Sequence, residues 1–312
     1  YVLDRGLHMR WLALLFALFG AMASFGIGCA VQVNAIAAVC KESLNISPGV
    51  VGLVSAVLAG FVIFGGIQSI AGVCQRLVPF MSLFYIGGCG AILIANWDFI
   101  IPALQTIVTM AFSPGAAAGG LAGGGIQMAM RYGIARGLFS NEAGMGSAPI
   151  AAAAAKTSSP VRQALISSTA TFWDTVVVCA ITGLVLVSSI MKNPAIDMAM
   201  AGDGGLLTTL AFAQIPIVGP GILVVGIITF AFSTILGWAY YGERCVEYLA
   251  GRRGLIFYRL LYILTAAAAP VIQLGVVWMT ADVLNALMVL PNLISLLCLS
   301  DVVAGETQKY LN

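Results

Sequence analysis

The sequence predicts an all-α integral membrane protein of about eight transmembrane helices, one of them broken, and three observations carry that prediction. Of the 312 residues, 61% are hydrophobic and only 8% charged, where a soluble domain carries about 25% charged residues. Apolar runs recur at lengths near the ~20 residues that cross a bilayer as a helix. One run, Gly133–Ala155 (GIARGLFSNEAGMGSAPIAAAAA), cannot stay helical throughout. Gly137, Gly144 and Gly146 loosen its backbone, while Ser140, Asn141 and Glu142 put polar groups where lipid would penalise them. Non-helical backbone at membrane depth is tolerated only where it is buried in protein or lines a cavity. Broken helices of this kind are where secondary transporters hold substrate and ion. A helix, a polar surface loop and a second helix is the competing reading of the same stretch.

In chain order, Trp11–Val39 makes the first span, followed by the polar link CKESLNISP. Gly49–Ile67 makes the second. Ile67–Gln75 reads as interfacial, and Leu77–Ala95 makes the third, ending at the interface pair Trp97 and Asp98. Phe99–Phe112 is too short and too proline-flanked to span, and is placed as a helix at the outer surface. A glycine-rich run, Gly115–Gly125, leads into the broken fourth span, Leu121–Lys156. Val161–Ser189 is the fifth. The connection Met191–Pro216 carries Pro194, Asp197 and Asp203 and contains a short surface helix at Leu206–Ala213. Gly219–Tyr241 is the sixth span, its helix continuing as a charged tail to Leu249. Leu255–Met279 and Val283–Val303 are the seventh and eighth.

Charge orients this topology. Arg5, Arg10, Arg76, Lys156, Arg162, Arg244, Arg252, Arg253, Arg259 and Lys309 fall on one side, and Lys41 and Lys192 on the other. Cytoplasmic loops carry the excess of Lys and Arg, so both ends are placed in the cytoplasm. Arg131 and Arg136 lie within the broken span and either pair with acids or snorkel to an interface. A net charge of +2 argues for no nucleic-acid partner. With one histidine, His8, and seven cysteines without CxxC spacing, no zinc or haem site and no cofactor is expected; the cysteines read as small packers. Phosphate-loop, nucleophile-elbow and HExxH motifs are missing from the sequence, so the chain is read as no enzyme. The chain opens at Tyr1 without a signal peptide, and is expected to be a piece of a longer protein.

Charged residues inside spans cost roughly 2.5–3.5 kcal/mol on insertion scales and mark functional pathways. Glu142 and Asp174 are the candidates. Glu142 opens the half-helix after the break, where a carboxylate can take exposed backbone N–H groups and the positive dipole end; that capping role is weighted above substrate contact. For Asp174, beside Trp173 in the fifth span, a hydrogen bond to a neighbouring helix and ion contact stand equal. Gln32 and Asn34 point to different faces of the first span, one suited to a cavity and the other to helix packing. Ser233 and Thr234 precede Trp238, and Thr234 shares its face. Paired hydroxyls usually bond back to the i−4 carbonyl, yet they also suit a dehydrated sodium ion; spacing leaves both readings open. Gly115–Gly119 and Gly133–Gly137 have GxxxG spacing, which permits close helix contact, although 36 glycines make such matches inevitable.

Three stretches then carry a resemblance. RGLFSNEAGMGSAPIA (Arg136–Ala151), PVRQALISSTATFWDTVVVC (Pro160–Cys179) and FAFSTILGWAYYGERCVEYL (Phe230–Leu249) resemble, in order and in register, the alanine/glycine:cation symporter family. The opening YVLDRGLHMRWLALLFALFG resembles the stretch after that family's second core helix. The resemblance covers essentially the whole chain. It implies one transmembrane transporter domain over residues 1–312 with a LeuT-type fold of two inverted repeats, the spans here being core helices three to ten and Gly120–Lys156 the broken sixth. It implies inward symport of small amino acids, alanine and glycine, with sodium as coupling ion, in a prokaryotic cytoplasmic membrane.

The resemblance places substrate contacts at Gln32, at Phe139 with Ser140 and Asn141 beside it, and at Trp238. Ser233 and Thr234 match one side of the fold's sodium site. Gly137, Glu142, Gly144, Gly146 and Asp174 are the structural and gating positions. Two departures stand out. The first two core helices are lacking, with half the sodium ligands, so the chain by itself is expected not to transport. Ala152 stands where relatives often have histidine. Proton coupling through Glu142 or Asp174 is the nearest rival, ahead of a channel or a membrane-embedded enzyme.

Overall fold

The computed structural model describes residues 1–111, 140–142, 144–193, 204–272 and 274–312. All the described elements are helical, and among the described residues six helices are long and apolar enough to cross a membrane. The protein is an all-helical, multi-pass membrane protein. After a π-helical turn at Val2–Gly6, α1 runs Arg10–Leu44, with a π-helical stretch at Ser24–Ala30 in its middle. It ends where Asn45 takes a left-handed conformation, a common stop signal for a helix. Pro48 then opens α2 (Pro48–Phe64), its missing N–H harmless in a first turn. At 17 residues, α2 sits at the lower limit for a span.

The remaining helices are α3 (Gly66–Ala95), α4 (Trp97–Ala111), the single turn α5 (Ala148–Ala152), and α6 (Pro160–Lys192), with a π-helical stretch at Phe172–Cys179. Next come α7 (Gly204–Phe212), α8 (Val218–Ala250), α9 (Gly254–Val271), α10 (Leu274–Cys298) and α11 (Ser300–Leu311). The chain divides into two compact units. The first comprises Tyr1–Leu77, Leu138–Ala170 and Ile228–Asn312, the second Val78–Gly137 and Thr171–Ile227.

In the first unit, small residues set which helices meet. Without a hydrophobic drive between helices in lipid, close backbone approach at small side chains is what makes packing favourable. Along α1 the series Gly20, Ser24, Gly28 repeats every fourth residue and faces α8. A Cβ at Gly20 would lie 2.8 Å from Cys245 Sγ, and one at Gly28 would overlap the Trp238 side chain. Between them, a Cβ on Gly242 of α8 would lie 2.6 Å from Ser24 Oγ. The two helices therefore run antiparallel. On another side α1 meets α10, with Gly26 against Ala281. A second small-residue series, Gly52, Ala56, Gly60, is buried on α2. It seats α9: a Cβ at Gly52 would come 2.6 Å from the Ala267 carbonyl oxygen, and one at Gly60 3.2 Å from Ile263.

The second unit is held differently, by polar contacts at helix ends. Asn96, 2% exposed, donates to Ser189 Oγ at 3.1 Å, and Lys192 Nζ donates to the Ala95 carbonyl at 2.6 Å and to Asn96 Oδ1 at 3.0 Å. A lysine at the carbonyl end of α3 also complements that helix's dipole. Nearer the middle, Tyr85 meets Thr182 Oγ1 at 2.8 Å.

Spans one, three, five and six lie within α1, α3, α6 and α8, and span two falls on α2, which stops at Phe64, short of the expected Ile67. The short helices expected near 99–112 and 206–213 appear as α4 and α7. Of the fourth span, residues 140–142 and 144–156 are described and the rest lies outside the described residues. Two further boundaries differ from expectation. Ile67–Gln75 is not separate but opens α3, whose 30 residues extend about 45 Å at 1.5 Å each, longer than the hydrocarbon core. The seventh span ends at Val271 and not Met279. Pro270 converts the end of α9 to a 3₁₀ turn, and Ile272 is extended. Thr280, whose polarity marked a boundary in the sequence, sits inside α10 because its hydroxyl donates to the Val276 carbonyl at 2.9 Å. The eighth span accordingly starts at Leu274, and Ser300–Leu311 is a helix of its own.

The α2–α9 seam generates a paired prediction. Gly52→Ala forces a methyl onto a carbonyl and costs about 1–3 kcal/mol, as overpacking does. Gly49→Ala, where nothing lies within 4 Å, costs nothing. Thermal unfolding in detergent checks it: a lowered midpoint is expected for Gly52→Ala and an unchanged one for Gly49→Ala.

Candidate functional site

Of the predicted site residues in the first unit, Gln32 lies on α1 and Ser233, Thr234 and Trp238 lie on α8, two helices that pack closely at Gly28 and Trp238. Trp238 is 3% exposed and stands against Gly28. One turn further along the same two faces are Gln32 on α1 and Thr234 on α8, since residues four apart on a helix share a face. Gln32 Nε2 donates to the Ile27 carbonyl at 3.2 Å, inside the π-helical stretch. Asn34 turns the other way, donating to the carbonyls of Ala30 at 2.9 Å and Ala269 at 2.7 Å, and so is the member of the pair that packs against a helix.

Both hydroxyls of the expected ion pair bond back to one carbonyl. Ser233 Oγ and Thr234 Oγ1 donate to Phe230 O at 2.8 and 3.0 Å. This does not compete with cation binding, because a hydroxyl that gives away its proton keeps both oxygen lone pairs. Among the described residues no group of three or more His, Cys, Asp or Glu could hold a metal ion.

The break lies in the same unit. Phe139 and Gly137 are outside the described residues. Ser140 and Asn141 are described, followed by a loop in which Glu142, Gly144 and Gly146 all have positive φ, 52°, 74° and 81°. Glycine supplies that conformation without steric cost; Glu142 does not, and such a residue persists only where its surroundings hold it. Its carboxylate accepts a hydrogen bond from Ser147 Oγ at 2.9 Å. Ser147 precedes α5 and makes no side-chain cap. Asn292 of α10 fixes the loop from another side, donating to the Gly144 carbonyl at 2.8 Å. A Cβ at Gly146 would lie 2.8 Å from Asn292 Oδ1 and 2.9 Å from Phe16. Asp174 belongs to the second unit, partly exposed on the π-helical stretch of α6.

Three features escaped the sequence reading. Asn292, which follows Pro291 in an apolar helix, could have been flagged as a mid-span amide. Tyr241 was read as a span end. The third is an ion pair between helices: Glu243, 1% exposed, accepts from Arg259 Nε at 2.7 Å and Nη2 at 3.0 Å. Arg259 entered the sequence reading only as a cation of loops and helix ends, and Glu243 only within the charged tail that ends at Leu249. A separate apolar cavity of about 370 Å³ is lined by Ile36, Val50, Val54, Leu58, Leu77 and Phe232 among others, and no predicted site residue borders it.

Comparison with known proteins follows the same line. The family model described as the sodium:alanine symporter family matches residues 1–312. An uncharacterized transporter of Haemophilus influenzae is 46% identical over 99% of the chain and 68% of its own length. The sodium/alanine symporter AgcS of Methanococcus maripaludis is likewise 46% identical, with the same coverage. The probable sodium/glutamine symporter GlnT of Bacillus subtilis is 35% identical over 99% of the chain and 63% of its own length. The chain thus spans roughly two thirds of these relatives.

Arg259→Met takes the bidentate partner from buried Glu243 and leaves only the Arg244 guanidinium, 3.9 Å away; breaking a buried pair from one side typically costs about 3–5 kcal/mol, whereas replacing both partners is often near neutral. Thermal unfolding in detergent should show a large loss for Arg259→Met and recovery of most of it in Glu243→Met/Arg259→Met.

Proposed function

The chain belongs to the sodium:alanine symporter family, a family of transporters and not enzymes, and from that premise we propose that it takes part in sodium-driven uptake of a small neutral amino acid, alanine first and glycine with it. The observation that supports this most directly is the close approach of α1 to α8 at Gly28 and Trp238. Helical spacing puts Gln32 and Thr234 one turn further along those helices, which offers an amide, a hydroxyl and an aromatic wall to a ligand. The working frame is one transporter domain of LeuT-type inverted-repeat architecture, its spans core helices three to ten, in a prokaryotic cytoplasmic membrane with both described ends inside.

In this reading the substrate lies between the Ser140–Asn141 end of the break, with Phe139, and the Trp238 indole. Gln32 orients its polar groups. Trp238 against Gly28 fills the space a longer side chain would use, which favours alanine over the glutamine of the GlnT relative. Sodium takes the lone pairs of Ser233 and Thr234 together with carbonyl oxygens, ligands that suit a small hard cation. The turns around Gly144 and Gly146 let the break rearrange as the site opens to either side. Bound sodium and bound amino acid each raise the other's affinity, as linkage requires. Both are transported species, and no resident cofactor is invoked.

Uptake of labelled alanine by proteoliposomes holding the complete reading frame tests the reading. Uptake should need an inward sodium gradient, with glutamine competing weakly. Thr234→Ala, which removes one charge–dipole ligand, should raise the sodium concentration for half-maximal uptake about tenfold, and Thr234→Ser should restore it. Uptake that ignores sodium and follows a pH gradient would move the coupling to protons.

A further inference from the structure

The turn that follows the break is anchored by a side chain from another helix. Glu142, Gly144 and Gly146 all take positive φ, so the chain cannot continue as a helix there. Two bonds close the turn on itself. Ser147 Oγ donates to the Glu142 carboxylate at 2.9 Å, and the Met145 N–H donates to the Glu142 carbonyl at 3.2 Å. Such internal bonds shape the turn without fixing its place against the rest of the first unit.

Asn292 of α10 supplies an anchor of that second kind. Its Nδ2 donates to the Gly144 carbonyl at 2.8 Å. Its Oδ1 and Cγ stand 2.8 and 2.9 Å from where a Cβ on Gly146 would lie, and Phe16 of α1 stands 2.9 Å from the same point. The amide is seated between two glycines, bonded to the first and abutting the second, which has room for it because it carries no side chain. Met145, between those glycines, is 1% exposed. Within a span there is little water to pair with an amide or with a carbonyl outside a helix, so each of these groups answers the other. Turn, α10 and Phe16 all belong to the first unit.

We propose that Asn292 is a positioning residue that latches the 142–147 turn onto α10 and so sets how the Ser140–Asn141 end of the break is presented to the amino acid. With the latch closed, Gly144 and Gly146 keep their left-handed conformations and the residues just before them are held in place. With it open, the glycines give the turn access to other conformations. A substrate then finds the competent form less often, and its apparent affinity falls by that fraction. Asn292 touches neither cargo nor ion. Its effect on affinity rests on the functional reading above; the latch itself does not.

Two measurements on the complete protein test it. The first needs no cargo: amide hydrogen exchange in detergent, followed on the peptides that carry residues 142–147. Asn292→Leu keeps a side chain of similar size on α10 and removes the donor. Exchange at 142–147 should quicken about fivefold, the range of one neutral hydrogen bond, while peptides from α2 and α9 keep their wild-type rates. Asn292→Ala removes the same donor without bulk beside Gly146 and should read alike. Ser295→Ala deletes a hydroxyl that donates to the Asn292 carbonyl at 2.8 Å within α10, and should leave exchange in the turn unchanged. Wild-type exchange at 142–147 in both Asn292 variants overturns the proposal. So does an equal quickening in Ser295→Ala, which makes the effect one of α10 as a whole.

The second measurement is alanine uptake in proteoliposomes. Asn292→Leu and Asn292→Ala should raise the alanine KM about fivefold with Vmax changed far less, and Ser295→Ala should keep the wild-type KM. A wild-type KM in the Asn292 variants, or a loss confined to Vmax, overturns the positioning role. A wild type that takes up no alanine defeats the functional reading and leaves the exchange result to decide the latch.

Discussion

The approach of α1 to α8 is the constraint on which the rest of the first unit depends. In lipid, apolar side chains gain nothing by leaving their surroundings for one another, so helices associate where their backbones can come close. Gly20, Ser24 and Gly28 give α1 such a strip, and α8 answers with Cys245, Gly242 and Trp238. A bulky side chain at any of the small positions would part the helices. It would then pull Trp238 away from its seat at Gly28. The same strip supports the aromatic layer behind it. Ser24 gives its proton to the Ala21 carbonyl at 2.7 Å and accepts from Tyr258 at 2.9 Å, while Tyr258 and Tyr262 stack around Phe25.

A second regularity is the way polar side chains are satisfied. Water cannot repair an unpaired group in hydrocarbon, and the described polar residues bond mainly to carbonyls of their own or neighbouring helices. Asn34, Ser233, Thr234 and Thr280 all follow this pattern, as does Tyr262, which donates to the Ile235 carbonyl at 2.9 Å. Such bonds cost the site little. A hydroxyl that donates backward still offers its oxygen lone pairs forward.

Helices were legible in the sequence wherever hydropathy and length spoke together. Trp11–Val39 and Gly219–Tyr241 are examples, and the resemblance in Arg136–Ala151, Pro160–Cys179 and Phe230–Leu249 pointed to the family from short strings alone. Boundaries were less legible where two signals conflicted. Thr280 and Asp282 looked like a loop because polarity was visible and the back-bond to Val276 was not, while Pro270 was the true stop. Gln32, Trp238 and Thr234 were named through the family resemblance, which helical spacing within an apolar run permits but does not choose. The ring contact of Tyr241 with Trp238 was not named, because Tyr241 closes an apolar run and reads as a span end. The π-helical stretch in α1 was equally hidden, because one extra residue per turn leaves no compositional mark.

The buried pair of Glu243 and Arg259 has a bearing on how the protein enters its membrane. Each residue lies near the end of a different helix, with the tight Ala250–Gly254 turn between them. A lone ionised side chain within a span is expensive to hand over to lipid, and neither α8 nor α9 escapes that expense by itself. The two become inexpensive only together, when the guanidinium fork closes on the carboxylate. Closed on each other across the turn, the fork and the carboxylate tie α8 to α9, so the two helices hold together as one hairpin in lipid.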